Sequence, residues 1–247
     1  MLSLTLVVPT YNEAADIGEL LRRLAEVAAR EVDTAVRVVV VDDSSPDGTA
    51  ELAREVGAGL VSDRFSVEVL VRAEKKGLGA AYLWAFERIL SSEHPPDAIL
   101  QMDADLSHDP KYVARFLEEV RAGADLVVAS RYVRGGGTPD WTLDRKLLSW
   151  GGNIYTRLLL GSRLTDWTGG FNLFSTELLR RIHVEDVDAS GYGFQIALKH
   201  RALRESKRTR EVPIVFVDRT HGTSKIPRDT LARNLLLVLR LRFSRRR

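Results

Sequence analysis

A chain of 247 residues, 45% hydrophobic and 28% charged, has material for one large or two small globular domains. Its net charge of +2 creates no field strong enough to select nucleic acid as a partner. The lack of cysteine excludes disulfides and thiolate metal sites and fits an intracellular setting; no basic leader precedes Pro9, and no apolar run approaches the roughly 18 residues that a bilayer span needs.

Leu4 to Val8 is a β-rich run closed by Pro9, and Asn12 is the expected cap of a helix from about Ala14 to Ala29. Leucines at 20, 21 and 24 give that helix an apolar face. Val36 to Val41 reads as a second strand ending in Asp42-Asp43-Ser44-Ser45, and Asp47-Gly48-Thr49 opens the next helix. Val67 to Val71 is a third strand; Lys75-Lys76-Gly77-Leu78-Gly79 leads into a helix from about Ala80 to Leu90. After Pro95-Pro96, the apolar run Ala98 to Met102 stops abruptly at Asp103-Ala104-Asp105. Pro110 sits at the favoured first position of another helix, and Asp125 to Ala129 is a fifth strand. This alternation of apolar strands with helices predicts an α/β fold: a mostly parallel central sheet with helices on both faces. The second half predicts a loop from Arg131 to Asp140, a helix from Leu143 to Leu160 and a tight turn within Asp166 to Phe174. A helix from Phe194 to Leu203, a strand from Val212 to Val217, a polar loop to Lys225 and a helix from Arg228 to Phe243 complete it.

Parallel strands would gather Glu13, Asp42 with Asp43, and Asp103 with Asp105 on one carboxyl rim, where open α/β sheets bind ligands. Two carboxylates one residue apart suit a hard divalent cation bridging to a phosphate. Simpler roles stand beside this one. The D-x-D can be a solvated loop start, Glu13 a helix-start acid, and Asp43 a cap. Gly77 can serve its turn alone, and Arg145 a solvated helix face. The chain has no G-x-G-x-x-G, no G-x-x-x-x-G-K-[ST], no H-x-x-x-H and no full nucleophile elbow. Dinucleotide oxidoreductases, P-loop NTPases, zinc hydrolases and serine hydrolases are disfavoured; a metal–diphosphate ligand fits what remains.

Four segments, in order, resemble family-2 glycosyltransferases of the GT-A fold: Val8-Pro9-Thr10-Tyr11-Asn12-Glu13, Val41-Asp42-Asp43-Ser44-Ser45-Pro46-Asp47-Gly48-Thr49, Lys76-Gly77-Leu78-Gly79-Ala80-Ala81-Tyr82 and Met102-Asp103-Ala104-Asp105-Leu106-Ser107-His108. Ser130-Arg131-Tyr132, Asp166-Trp167-Thr168-Gly169-Gly170-Phe171, Gly191-Tyr192-Gly193-Phe194-Gln195 and Phe216-Val217-Asp218-Arg219-Thr220-His221-Gly222-Thr223-Ser224-Lys225 narrow the resemblance to polyprenol (dolichol) monophosphate mannose synthases. The resemblance implies a GT-A catalytic domain over 1–227, followed by an amphipathic helix and basic tail over 228–247. It implies inverting transfer of mannose from GDP-mannose to polyprenyl phosphate. The alternatives are a UDP-glucose-dependent glucosyltransferase and a non-catalytic sugar-nucleotide or lipid-phosphate binding module.

The resemblance assigns Pro9, Tyr11, Glu13, Asp42, Asp43, Lys76, Gly77, Asp103, Ala104, Asp105, Arg219 and Lys225 to the nucleotide sugar, with Asp42 favoured for the base. It gives Asp103 and Asp105 to Mg²⁺ or Mn²⁺, and Arg131, Arg145 and Ser149 to the acceptor phosphate, with Asp105 and Arg131 carrying the chemistry. Two departures stand out: Ser107 where some relatives place a glutamine metal ligand, and Ala197 where many place glutamate. The final helix, with Leu235-Leu236-Leu237-Val238-Leu239 followed by five arginines within the last eight residues, is expected to meet an anionic membrane surface. The expected location is therefore peripheral, on the cytoplasmic face. Transmembrane helices follow the catalytic domain in some relatives, so a membrane-protein partner is also expected.

Overall fold

The computed structural model describes residues 1–188, 193–218 and 230–243. Its first half alternates β1 (Leu2–Thr10), α1 (Ile17–Arg30), β2 (Thr34–Asp42), α2 (Thr49–Ala58), β3 (Phe65–Val71), α3 (Leu78–Leu90) and β4 (Ala98–Gln101). A 3₁₀ turn at Pro110–Tyr112 precedes α4 (Val113–Arg121) and β5 (Leu126–Ser130). The remainder comprises α5 (Leu143–Leu160), β6 (Asn172–Ser175), α6 (Thr176–Arg181), α7 (Phe194–Glu205), β7 (Thr209–Pro213) and α8 (Thr230–Phe243).

The seven strands form one sheet in the order β3-β2-β1-β4-β6-β5-β7. All neighbouring pairs are parallel except those of β6, which runs antiparallel to both β4 and β5. β6 occupies part of the segment expected to be a turn. Only Leu173 and Phe174 form its apolar signal, too short to read as a strand in isolation. The late strand also begins earlier than its apolar run, because polar Thr209, Arg210 and Glu211 pair with β5.

Period-two alternation sorts the core onto the two faces of the sheet. Leu4, Leu6 and Val8 of β1 join Val36, Val38 and Val40 of β2 in the cluster that includes α1 and α4. Val7, Val39 and Val41 point the other way, into a cluster with α3, α6 and α7. Val238 of α8 belongs to that second cluster, and the Tyr155 hydroxyl of α5 donates to the Leu235 carbonyl at 3.1 Å. The expected C-terminal helix therefore packs on the fold. Among the described residues, no helix is long and apolar enough to cross a membrane.

Helix entries depart in detail from the expected caps. α1 begins at Ile17 after Asp16, while Asn12 instead takes a left-handed turn with φ 61°. Asp109 caps as expected, accepting from the Lys111 amide before Pro110 sets the first turn. α2 packs so closely on β3 that a Cβ built on Gly57 would lie 2.7 Å from the Val67 Cβ. Gly57→Ala should therefore lose about 1–2 kcal/mol in urea denaturation. The overpacking cost exceeds the roughly 1 kcal/mol that alanine contributes through helix propensity.

β1 is the switch point: its neighbours β2 and β4 lie on opposite sides. The crevice outside its carboxyl end is where such sheets place ligands. The turns after β1, β2 and β4 all emerge there.

Candidate active site

The β1 and β2 turns are tied to each other before any ligand is considered. Asp42, only 1% exposed, accepts from the Thr10 hydroxyl at 2.9 Å, the Ser45 amide at 2.8 Å and the Ser45 hydroxyl at 2.5 Å. The Ser45 hydroxyl in turn accepts from the Asn12 amide, and Thr49 Oγ1 accepts from the Glu13 amide, both at 3.0 Å. Asp42 thus holds the two turns in register, a role additional to the base contact expected of it. Asp43 is buried against Arg72, whose Nε lies 2.8 Å from Oδ1. That ion pair falls short of hydrogen-bond geometry at Oδ1, and burial pushes the Asp43 carboxyl up despite the neighbouring guanidinium. Arg72 follows the strand directly and has no motif around it, so sequence reasoning missed it.

Pro9 ends this rim of β1, and the half-exposed Tyr11 ring lies beneath the Lys75 ammonium at 3.4 Å. Lys76 is exposed and paired with Glu74 at 3.3 Å. Gly77 has φ 90°, so its turn requires glycine whatever else it contacts. Arg219 and Lys225 lie outside the described residues, as do Gly191 and Tyr192 of one motif.

The acidic pair follows β4 directly. Leu106 takes φ 61°, a strained conformation for a non-glycine residue, and this turns Ser107 back onto Asp105. Oδ1 of Asp105 accepts from the Ser107 amide at 3.1 Å and hydroxyl at 2.6 Å. Ser107 is thus the residue that orients Asp105. Ala104 is buried between the two acids, and the Tyr82 hydroxyl donates to the Met102 carbonyl beneath them. His108 Nδ1 accepts from the Asp103 amide at 3.0 Å. Its neutral ring therefore carries the proton on Nε2, 3.8 Å from Oδ2 of Asp103. The ring stacks on Phe171 with centroids 4.8 Å apart, which makes it a support for Asp103.

Asp103 faces a cavity of about 310 Å³ whose lining also includes Arg131, Trp141, Arg145, Ser149 and Gly170. Asp103 of the acidic pair thus shares one space with Arg131, Arg145 and Ser149, the residues expected at the acceptor phosphate. Arg131 is not simply a free cation on the wall. Its Nε and Nη2 each donate to the Asp166 carboxylate at 2.7 Å, and Nη2 also donates to Thr168 Oγ1. Burial raises the Asp166 carboxyl, but the Arg131 guanidinium outweighs it and holds the group at about 2. Arg145 pairs with Asp218 at 2.8 Å and lies over the Trp141 ring at 4.1 Å; Arg131 lies 5.2 Å from the same ring. The Ser149 and Tyr132 hydroxyls share a 2.7 Å hydrogen bond.

Two residues that bond the backbone behind this wall were not expected. Lys199 of α7 has no exposed surface and donates to the carbonyls of Asp166 at 3.1 Å and Gly169 at 2.7 Å. Burial lowers its ammonium to about 7, with Asp166 and Glu211 opposing that shift. Glu211 of β7 accepts from the Thr165 amide at 2.9 Å and the Asp166 amide at 3.2 Å. Trp167, by contrast, is packing, with 0% exposure.

Comparison with known proteins places this geometry. Residues 5–183 match the model of Glycosyl transferase family 2. The chain belongs to that family. It is 44% identical over 220 residues to an undecaprenyl-phosphate mannosyltransferase of Micrococcus luteus, covering 89% of this chain and 86% of the relative. It is 40% identical over 220 residues to a polyprenol monophosphomannose synthase of Mycolicibacterium smegmatis, covering 89% and 79%. The fold is shared with a mannosyltransferase from Pyrobaculum calidifontis solved with GDP-Man and Mn²⁺. That match has a TM-score of 0.58 at 19% identity, over 96% of this chain and 69% of that one. The expected GT-A fold is thus the fold of this glycosyltransferase.

The donor set fits a hard cation. Asp103, with 36% of its side-chain surface exposed, offers carboxylate oxygen to the cavity, and Asp105 is a pre-oriented, buried carboxylate two residues on. Among the described residues, no group of three or more acidic or imidazole side chains gathers to cage a metal, so further ligands would come from diphosphate oxygens and water.

Proposed function

We propose that this chain transfers mannose from GDP-mannose to polyprenyl phosphate, with inversion, giving polyprenyl-phosphate-mannose and GDP. The observation that carries the reading is one cavity in a family-2 glycosyltransferase, lined by Asp103 together with Arg131, Arg145 and Ser149. The relatives that cover most of the chain carry mannosyltransferase names, which supports mannose as the sugar.

The chemistry follows from the charges. A phosphate monoester is already an anion near neutral pH, so its oxygen attacks the anomeric carbon without a strong general base. As that bond forms, the bond from the anomeric carbon to the diphosphate breaks, and GDP leaves with the electron pair. Arg131, Arg145 and Ser149 hold the attacking phosphate and offset its repulsion from the donor. Asp103 and Asp105 would hold Mg²⁺ or Mn²⁺, which neutralises charge developing on the leaving diphosphate. Pro9, Tyr11, Glu13, Asp42, Asp43, Lys76, Gly77 and Ala104 would line the nucleotide-sugar side, with Arg219 and Lys225 closing on the phosphates.

α5 and α8, which contribute Leu148, Tyr155, Leu235 and Val238 to the cavity lining, also expose Leu143, Leu147, Trp150, Leu158, Leu236 and Phe243. These exposed apolar side chains support peripheral docking on the cytoplasmic face of a membrane, where a lipid-linked acceptor resides, alone or beside a membrane-protein partner. Radiolabelled mannose from GDP-mannose is expected to enter the organic phase only with polyprenyl phosphate and Mg²⁺ or Mn²⁺ present. Label that follows UDP-glucose alone would replace mannose with glucose in this reading.

A further inference from the structure

Lys199 is fully buried, and its Nζ donates to the backbone of a segment that lines the cavity. Burying an ammonium is costly unless it is paired and hydrogen-bonded. Here its two bonds fall on the carbonyls of Asp166 and Gly169, which bracket Trp167 and Thr168. The same short segment takes the three guanidinium hydrogen bonds that aim Arg131. The Asp166 carboxylate takes Nε and Nη2, Thr168 Oγ1 takes Nη2 again, and the Gly169 amide ties back to Asp166 Oδ1 at 3.0 Å. The next residue, Gly170, stands against Asp103: a Cβ there would be 3.8 Å from Oδ1. Glu211 anchors the entry to the segment, and with Lys199 it balances the Arg131–Asp166 pair as two cations against two anions.

We infer that Lys199 is a positioning residue for the acceptor phosphate: it clamps the 166–169 segment from beneath and so fixes the carboxylate that aims Arg131 into the cavity. This rests on the reading of Arg131 as an acceptor contact. A purely structural lysine would affect both substrates or neither. A lysine that works through Arg131 affects the acceptor first, because its bonds fall on the segment that aims Arg131, whereas the turns after β1 and β2 that would meet the nucleotide are tied to each other.

The test compares Lys199→Met, which keeps length but removes all donors, with Lys199→Gln, which keeps one amide donor. Steady-state mannosyl transfer gives KM for each substrate, and calorimetric titration with GDP reports the nucleotide half separately. Lys199→Met is expected to raise the polyprenyl-phosphate KM about tenfold or more, with Lys199→Gln between it and wild type and GDP affinity within about twofold. An unchanged acceptor KM in both variants overturns the proposal, and so does a matched rise in the GDP-mannose KM. If Lys199→Met does not fold, Lys199→Gln decides by the same two criteria. Arg131→Lys is run alongside: an acceptor KM it leaves unmoved overturns the acceptor reading itself. A raised KM there with none in the Lys199 variants overturns only the role of Lys199.

Discussion

Asp105→Ala protein is expected to transfer mannose at least about 10²–10³-fold more slowly than wild type at saturating substrates, the typical loss when one charge-stabilising contact to a leaving group is removed. The structure gives reasons to expect the upper end. Asp105 is only 5% exposed, and its carboxylate is fixed by the Ser107 amide and hydroxyl, within a turn that accepts backbone strain at Leu106. Strain and an oriented, buried acid together point to a group whose position matters more than its solvation. The substitution also strands the two Ser107 donors, which should cost about 1–3 kcal/mol of stability. Turnover must therefore be measured on protein shown to be folded. Asp105→Asn, which retains an oxygen acceptor for Ser107, separates the two effects: stability near wild type, turnover still lost. Ser107→Ala should give a smaller loss of about tenfold, because the carboxylate remains but its aim is relaxed. Full turnover by Asp105→Ala across a Mg²⁺ and Mn²⁺ titration would sink the metal assignment.

Most of the first half was legible because its physics is local. Apolar runs such as Val36–Val41 and Ala98–Met102 are strands buried on both faces, and each is punctuated by Gly, Pro or Asp. Their acids then fall at carboxyl ends by construction, which placed Asp42 and Asp103 without any long-range information. The second half resisted for the opposite reason. β6 is four residues long and antiparallel, wedged between β4 and β5 by pairing rather than by its own pattern. The Arg131–Asp166 pair spans 35 residues and the Lys199–Asp166 contact 33, so no spacing rule could signal either. Ser107 shows a subtler limit. Its position beside the acid pair was visible, but whether it would bind a cation or the neighbouring carboxylate depended on the φ of Leu106. Arg145 could also be read as a solvated helix residue, and its contacts with Trp141 and Asp218 carry no signal in the sequence.

Asp166→Ala should be the most destabilising single change at this site, with an expected loss of about 3–5 kcal/mol in urea denaturation at pH 7, the range for breaking a buried ion pair from one side. Two cations depend on this one acid: Arg131 through a two-point pairing at 2.7 Å, and Lys199 through the field of its carboxylate. The pH dependence gives an independent check. The folded carboxyl is held at about 2, below its ordinary value, so the unfolded chain binds more protons between the two. Its contribution is complete above the unfolded pKa of about 4 and is lost as pH falls through about 2. Wild-type stability should therefore fall over that acid window by an amount that is missing in Asp166→Ala. Acceptor binding should fail alongside stability: with its carboxylate gone, Arg131 loses both bonds that fix its plane. The polyprenyl-phosphate KM of the folded fraction should rise about tenfold or more while GDP affinity holds. A variant as stable as wild type at pH 7 would mean that Arg131 and Lys199 find other partners, and the balanced four-charge account of this wall would fail.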